Sequence, residues 1–104
     1  METIRTKGFT AKDIFNSTAS TPIKDVKEET IKVADIFVKD KVDGDTVGYL
    51  KTEDGTIYAT VSNTVIDQLP ALAEINEGQN GAVEVKVVPK TSNSGREYYI
   101  LELV

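Results

Sequence analysis

Tyr49, Lys51 and Tyr58 stand close together in GYLKTEDGTIYATVS, residues 48–62. Phenolic rings offer flat π faces for stacking, and an ammonium beside them offers a partner for an anion. Further cations lie ahead of this stretch at Lys39 and Lys41, and behind it at Lys90 and Arg96 of PKTSNSGR, residues 89–96. Ser92 and Asn93 of that segment can both donate and accept hydrogen bonds, and Gly95 lets it bend. Other chemistries are excluded by composition. The chain has no histidine and no cysteine, which removes the usual general base near neutral pH, the commonest metal ligand, thiolate zinc sites and disulfides. DKVDGD, residues 40–45, carries oxygen ligands without calcium-loop spacing, and Lys51 falls where the closing bidentate glutamate belongs. No glycine-rich loop has phosphate-binding spacing, and the many serines and threonines have no base to activate them. The expectation is a non-enzymatic chain without metal or cofactor.

Charge narrows the surface further. The net charge is -5, from 12 basic and 17 acidic side chains, which opposes broad attraction to polyanions or to an anionic membrane. Residues 1–30 balance their charges, so the acidic excess lies in 31–104. Any anion site must therefore be a local stripe. At 104 residues the chain is one domain with a single modest core. No apolar run approaches the roughly 18 residues of a membrane span, and METIRTKGF lacks the apolar centre of a signal peptide. A cytoplasmic protein that does not enter the membrane is expected.

The elements that must position these residues follow from periodicity. Residues 1–29 read as an N-terminal arm, helical or flexible: Thr10-Ala11-Lys12-Asp13 has capping-box form, predicting one or two helical turns over 11–17, and NSTASTP at 16–22 reads as a linker. From residue 30 to 104 the pattern is β. IKVADIFVKD, TVGYLKT, TIYATVS, AVEVKVV and EYYILELV read as five strands, with Val83, Val85 and Val87 sharing one face. NTVIDQLPALAEINEG, residues 63–78, falls between the third and fourth strands. Because Pro70 is best tolerated in a first helical turn, the spacing predicts a loose turn at 63–68 and a helix from about 69 to 76. Strand, strand, strand, helix, strand, strand predicts a mainly β, five-stranded Greek-key barrel with a short helix between strands three and four, the oligonucleotide/oligosaccharide-binding (OB) architecture.

Register then decides which way the tyrosines point. A two-residue type I′ turn at Asp54-Gly55 pairs Lys51 with Tyr58, Leu50 with Ala59 and Tyr49 with Thr60. Side chains alternate across a strand, so Tyr49, Lys51, Tyr58 and Thr60 would share the face turned from the core, with the two tyrosines diagonal at roughly 7–8 Å. A slip of one residue would bury Tyr58. Tyr98 and Tyr99 are adjacent and must face opposite ways, one of them to the core.

On its strand order, the aromatic hairpin GYLKTEDGTIYATVS and the basic-ended loop PKTSNSGR, the chain resembles OB-fold single-stranded DNA-binding proteins, in particular the compact type carried by phages and plasmids of Gram-positive bacteria. The resemblance covers 31–104 and implies sequence-tolerant binding of single-stranded DNA, or RNA, in replication or recombination. Tyr49 and Tyr58 would stack on bases and Lys51 would meet phosphate. Thr60, Lys39, Lys41, Lys90, Asn93 and Arg96 would complete the groove. Implied partners are single-stranded nucleic acid, other copies of the chain, and replication or recombination proteins; no cofactor is implied. Many relatives end in an acidic tail, whereas this chain ends in YYILELV, so tail-mediated recruitment does not carry over. A different class fits the same composition: a non-catalytic protein-interaction or assembly module that uses the acidic surface and the N-terminal arm.

Overall fold

A computed structural model of the chain describes residues 4–40, 46–79 and 81–104. Its elements are β1 (Ile4–Arg5), α1 (Ala11–Asn16), β2 (Thr21–Pro22), β3 (Thr30–Asp40), β4 (Thr46–Thr52), β5 (Ile57–Thr60), α2 (Asn63–Gln79), β6 (Val83–Thr91) and β7 (Glu97–Leu103), with short 3-10 turns at Ser17–Ala19 and Ile23–Val26. The strands form one curled sheet in the order β2-β5-β4-β3-β6-β7, with β1 also on β3. β3 is the spine. One of its edges carries β4, while the other is shared by β6, paired to Thr30–Val33, and β1, paired to Phe37–Val38. A register shift between Val33 and Asp35 bends the strand, as a bulge does, so that it can serve two neighbours in turn. The expected count of five strands becomes seven, because the first 29 residues supply β1 and β2. Among the described residues no ladder joins β2 or β5 to β7, so the sheet is a half-barrel left open on that side.

The β4–β5 hairpin departs from the expected register by one residue. Gly48 pairs with Thr60, Tyr49 with Ala59, Leu50 with Tyr58 and Lys51 with Ile57. The loop is Glu53-Asp54-Gly55, closed by Thr52 N–H to Thr56 O at 2.9 Å and Gly55 N–H to Thr52 O at 3.0 Å. Gly55 has φ +90 and Asp54 does not share a positive φ, whereas a type I′ turn needs both. Asp54 accepts instead from the Thr56 amide at 3.0 Å and from the Thr52 hydroxyl. The same construction recurs between β6 and β7. Ser92 N–H bonds Arg96 O at 2.8 Å, Gly95 N–H bonds Ser92 O at 2.9 Å, and Gly95 has φ +82. The eight-residue polar loop expected at 89–96 is thereby reduced to a tight turn on a long hairpin.

The core lies between the sheet's inner face and α2. Val33, Ile36, Val38 and Leu50 meet Val65, Ile66, Leu69, Leu72 and Ala73 of the helix, and Val85, Val87 and Leu101 complete the cluster. Gly48 lets the helix lie close, since a Cβ there would sit 2.7 Å from a Leu69 methyl. α2 runs unbroken from Asn63 to Gln79 with Pro70 inside it, where a loose turn is expected over 63–68. Proline in a helix interior costs about 3 kcal/mol, but burying Val65, Ile66, Leu69 and Leu72 returns roughly 1.5–3 kcal/mol each, so tertiary packing outweighs the local penalty. Gln68 of this helix reaches the outer edge of β7, its carboxamide donating to Leu101 O and accepting from Leu101 N–H, both at 2.8 Å. The segment read as a linker is instead structured. Asn16 ends α1, Thr21 and Pro22 pair with β5 in parallel, and Ile23 and Val26 join the core. No helix among the described residues is long and apolar enough to cross a membrane.

Pro70→Ala restores an amide donor at an exposed helix position and is expected to raise stability by about 2 kcal/mol. Leu69→Ala is expected to lower it by about 2–5 kcal/mol. Urea unfolding midpoints of the two variants check both signs.

Candidate functional site

The outer face of the half-barrel collects the chemistry. Alternation along β3 sends Asp35, Phe37 and Lys39 outward, and their partners Lys51, Tyr49 and Val47 on β4 share that face. Phe37 and Tyr49 stack nearly parallel, centroids 5.8 Å apart at 15°. A third ring, Phe9, lies on Phe37 at 5.2 Å and 28° and is tilted against Tyr49 at 6.4 Å. Such pairs contribute roughly 0.5–1.5 kcal/mol each beyond the area they bury. Phe9 and Ile57 are buried here with Phe37, in a cluster separate from the main core, with Ile14 packed beside it.

Phe9 arrives on the segment that links β1 to α1. Thr6 hooks this segment to β3, its amide donating to Ile36 O at 3.0 Å and its hydroxyl donating to Asp35 at 2.7 Å while accepting from Ile36 N–H at 3.0 Å. Thr10 and Asp13 then form the expected capping box at the start of α1, and Phe9 just before the cap packs on Ile14 in the fourth helical position, a hydrophobic staple. Lys51 joins the sheet to this arm. Its ammonium contacts Asp13 at 2.9 Å and donates to Gly8 O at 3.3 Å. The Lys51 hydrogen bond, with help from Thr10, holds the Asp13 carboxyl below the usual carboxylate range.

The remaining predicted residues separate. Tyr58 and Thr60 lie on the inner face, contrary to the expected grouping, because the three-residue loop advances β5 by one position. Tyr58 packs against the main core, and burial, followed by the nearby Asp54 and Glu29 charges, pushes its hydroxyl pKa up. Thr60 is buried opposite Gly48 and accepts from Ser62 N–H at 3.0 Å. Tyr49 and Lys51 therefore remain together without Tyr58. Lys39 is exposed at the end of β3, and Lys41 lies in the segment 41–45, outside the described residues.

Lys90, Asn93 and Arg96 come together on the β6–β7 hairpin. Beyond Val88 and Ile100 no further strand among the described residues lies beside this hairpin, and Lys90, Asn93 and Arg96 are all exposed. Lys90 faces Tyr98 across the ladder, and Val88 faces Ile100 on the same side. Tyr99 takes the opposite side, packs against the core and donates its hydroxyl to Glu97 at 2.7 Å. Following the pairs from Lys86 to Thr30 carries this outer side to Phe37 and Tyr49. Tyr98 also lines, with Pro22, Lys24 and Ala59, the cleft between β5 and β7.

Sequence context does not mark Phe37, because Ile36-Phe37-Val38 is a continuous apolar run with no alternation to assign a face, whereas Phe9 does occupy the apolar position before a capping box that a staple uses. Among the described residues no cluster of three or more potential ligands could hold a metal. No family model matches the chain, and neither does any curated protein or solved structure.

Tyr58→Ala removes a ring from the inner face and is expected to cost about 1–3 kcal/mol of stability. Tyr98→Ala on the outer face should stay within about 0.5 kcal/mol of the parent. Thermal melts compare them, and equal losses would contradict the observed ladder.

Proposed function

We propose that the chain is a sequence-tolerant single-stranded nucleic-acid-binding protein, of use in replication or recombination, with no catalytic step. The observation that carries this reading is the exposed β6–β7 hairpin. Lys90 beside Tyr98 on one face, with Asn93 and Arg96 at the turn, combines a stacking ring, two cations and an adaptable hydrogen-bonder. Neither Lys90 nor Arg96 has an ion-pair partner among the described residues. Both cations are thus available to phosphate in an otherwise acidic chain.

Connectivity supports the same reading. Of the five long strands, the first pairs with the second and fourth, the second with the third, and the fourth with the fifth, and the helix follows the third. An OB-type Greek key opened between its third and fifth strands has this wiring, and OB folds bind oligonucleotides through strands two and three and the neighbouring loops. Base stacking contributes about 1–3 kcal/mol per ring and tolerates any sequence. A protein-assembly role draws instead on exposed apolar side chains at Phe15, Leu103 and Val104.

Fluorescent oligothymidine at two salt concentrations provides the test. Micromolar or tighter binding is expected, weakening as salt rises. Tyr98→Ala should cost about 1–3 kcal/mol of binding, and each of Lys90→Ala and Arg96→Ala should flatten the log–log salt slope by about 0.7. Absence of binding at low salt would overturn the reading, and self-association on a sizing column without any oligonucleotide shift would favour the assembly role.

A further inference from the structure

The N-terminal arm occupies the outer face with two side chains that resemble what a nucleotide would bring there. Phe9 lays a flat ring on Phe37, extending the near-parallel stack that continues to Tyr49. Asp13 sets a carboxylate against the Lys51 ammonium at 2.9 Å. A base needs an aromatic face to stack on and its phosphate needs a cation within reach. Phe37, Tyr49 and Lys51 offer both, and both are filled from within the chain.

Resting on the binding role proposed above, we infer that Phe37, Tyr49 and Lys51 form a second nucleotide subsite, masked by Phe9 and Asp13 of the arm, which act as an internal stand-in for base and phosphate. Single-stranded nucleic acid that engages the β6–β7 hairpin competes with the arm for this face. Three features of the arm suit it to release. α1 has six residues and none of them is buried, so it is too short to persist as a helix once lifted. Between Thr6 and Ser17 the arm is held to the sheet mainly by the Phe9 ring and the Lys51 contacts, few enough for this stretch to open locally while β2, Ile23 and Val26 stay anchored behind it. The main core does not depend on α1, since the buried cluster formed by α2 and the inner sheet contains no residue of that helix.

The fit is close. A Cβ on Gly8 would collide with the Asp35 carboxylate, so the arm passes tightly over β3. Lys51 donates to Gly8 O as well as to Asp13. The cation is thereby engaged twice by the arm and is withheld from outside anions until the arm moves. Such a mask keeps a stacking platform from collecting stray aromatic or anionic ligands, and it couples occupancy of one part of the surface to opening of another.

Asp13→Asn in the full chain keeps the side chain's size and removes its charge. Oligothymidine affinity is expected to rise about 5-fold or more over the parent, and adding Lys51→Ala to Asp13→Asn should abolish that gain. Hydrogen exchange gives an independent readout. Saturating oligothymidine should lower protection of the Phe9 and Ile14 amides, which bond Thr6 O and Thr10 O in the free protein. Parent and Asp13→Asn proteins that bind equally, or Phe9 and Ile14 amides that stay protected at saturation, would overturn the mask while leaving the hairpin's role intact. No binding by either protein would overturn both.

Discussion

A single side-chain bond organises the sheet: the Asp54 carboxylate accepts from the Thr56 amide while Gly55 supplies the positive φ. Together they close a three-residue loop in place of a two-residue one. Strand faces alternate, so that difference turns every β5 side chain over. Tyr58 goes inward to the core, and Ile57 goes outward to meet Phe37. An outer face with Ile57, Phe37 and Tyr49 is too apolar to be left wet, and the arm with Phe9 supplies its cover. The turn, the buried tyrosine and the docked N-terminus are one linked outcome.

The elements that could be read from sequence are those whose signal is local. Runs rich in β-branched and aromatic residues located the five long strands, with clean alternation only in AVEVKVV, and Thr10 with Asp13 located α1 to within a residue. Val83, Val85 and Val87 point inward as their alternation implies. What escaped was decided by contacts between distant segments. Asp-Gly serves two kinds of hairpin loop, and the dipeptide alone does not choose between them; the longer loop comes with the Asp54 bond to Thr56 and with Tyr58 packed against the core. Pro70 argued for a broken helix on local grounds, yet the buried side chains on both sides of it hold one continuous helix. Phe9, Ile23 and Val26 follow no period, so nothing local marks the arm as part of the packed structure. Whether the sheet closes depends on where two remote edges come to rest, which no short pattern encodes.

Cations in this chain fall into two groups with different availability. Lys51 is already neutralised within the fold by Asp13, whereas Lys90 and Arg96 stand at the far end of a hairpin whose base alone, among the described residues, is paired with another strand. Surface lysines and arginines in an acidic protein are often only solvating groups. Here Lys90 and Arg96 share one hairpin with the outward Tyr98, so two cations sit near a ring although the chain as a whole is acidic.

The grip of Gln68 on Leu101 has a consequence for solubility. A strand at the rim of an open sheet presents bare amides and carbonyls to which a second chain can add itself. At Leu101 both groups are already taken by a carboxamide, which offers the same donor and acceptor as a peptide unit. A would-be neighbour therefore meets an occupied rung midway along β7. A glutamine from the helix thus acts as a one-residue guard on the open border of the half-barrel.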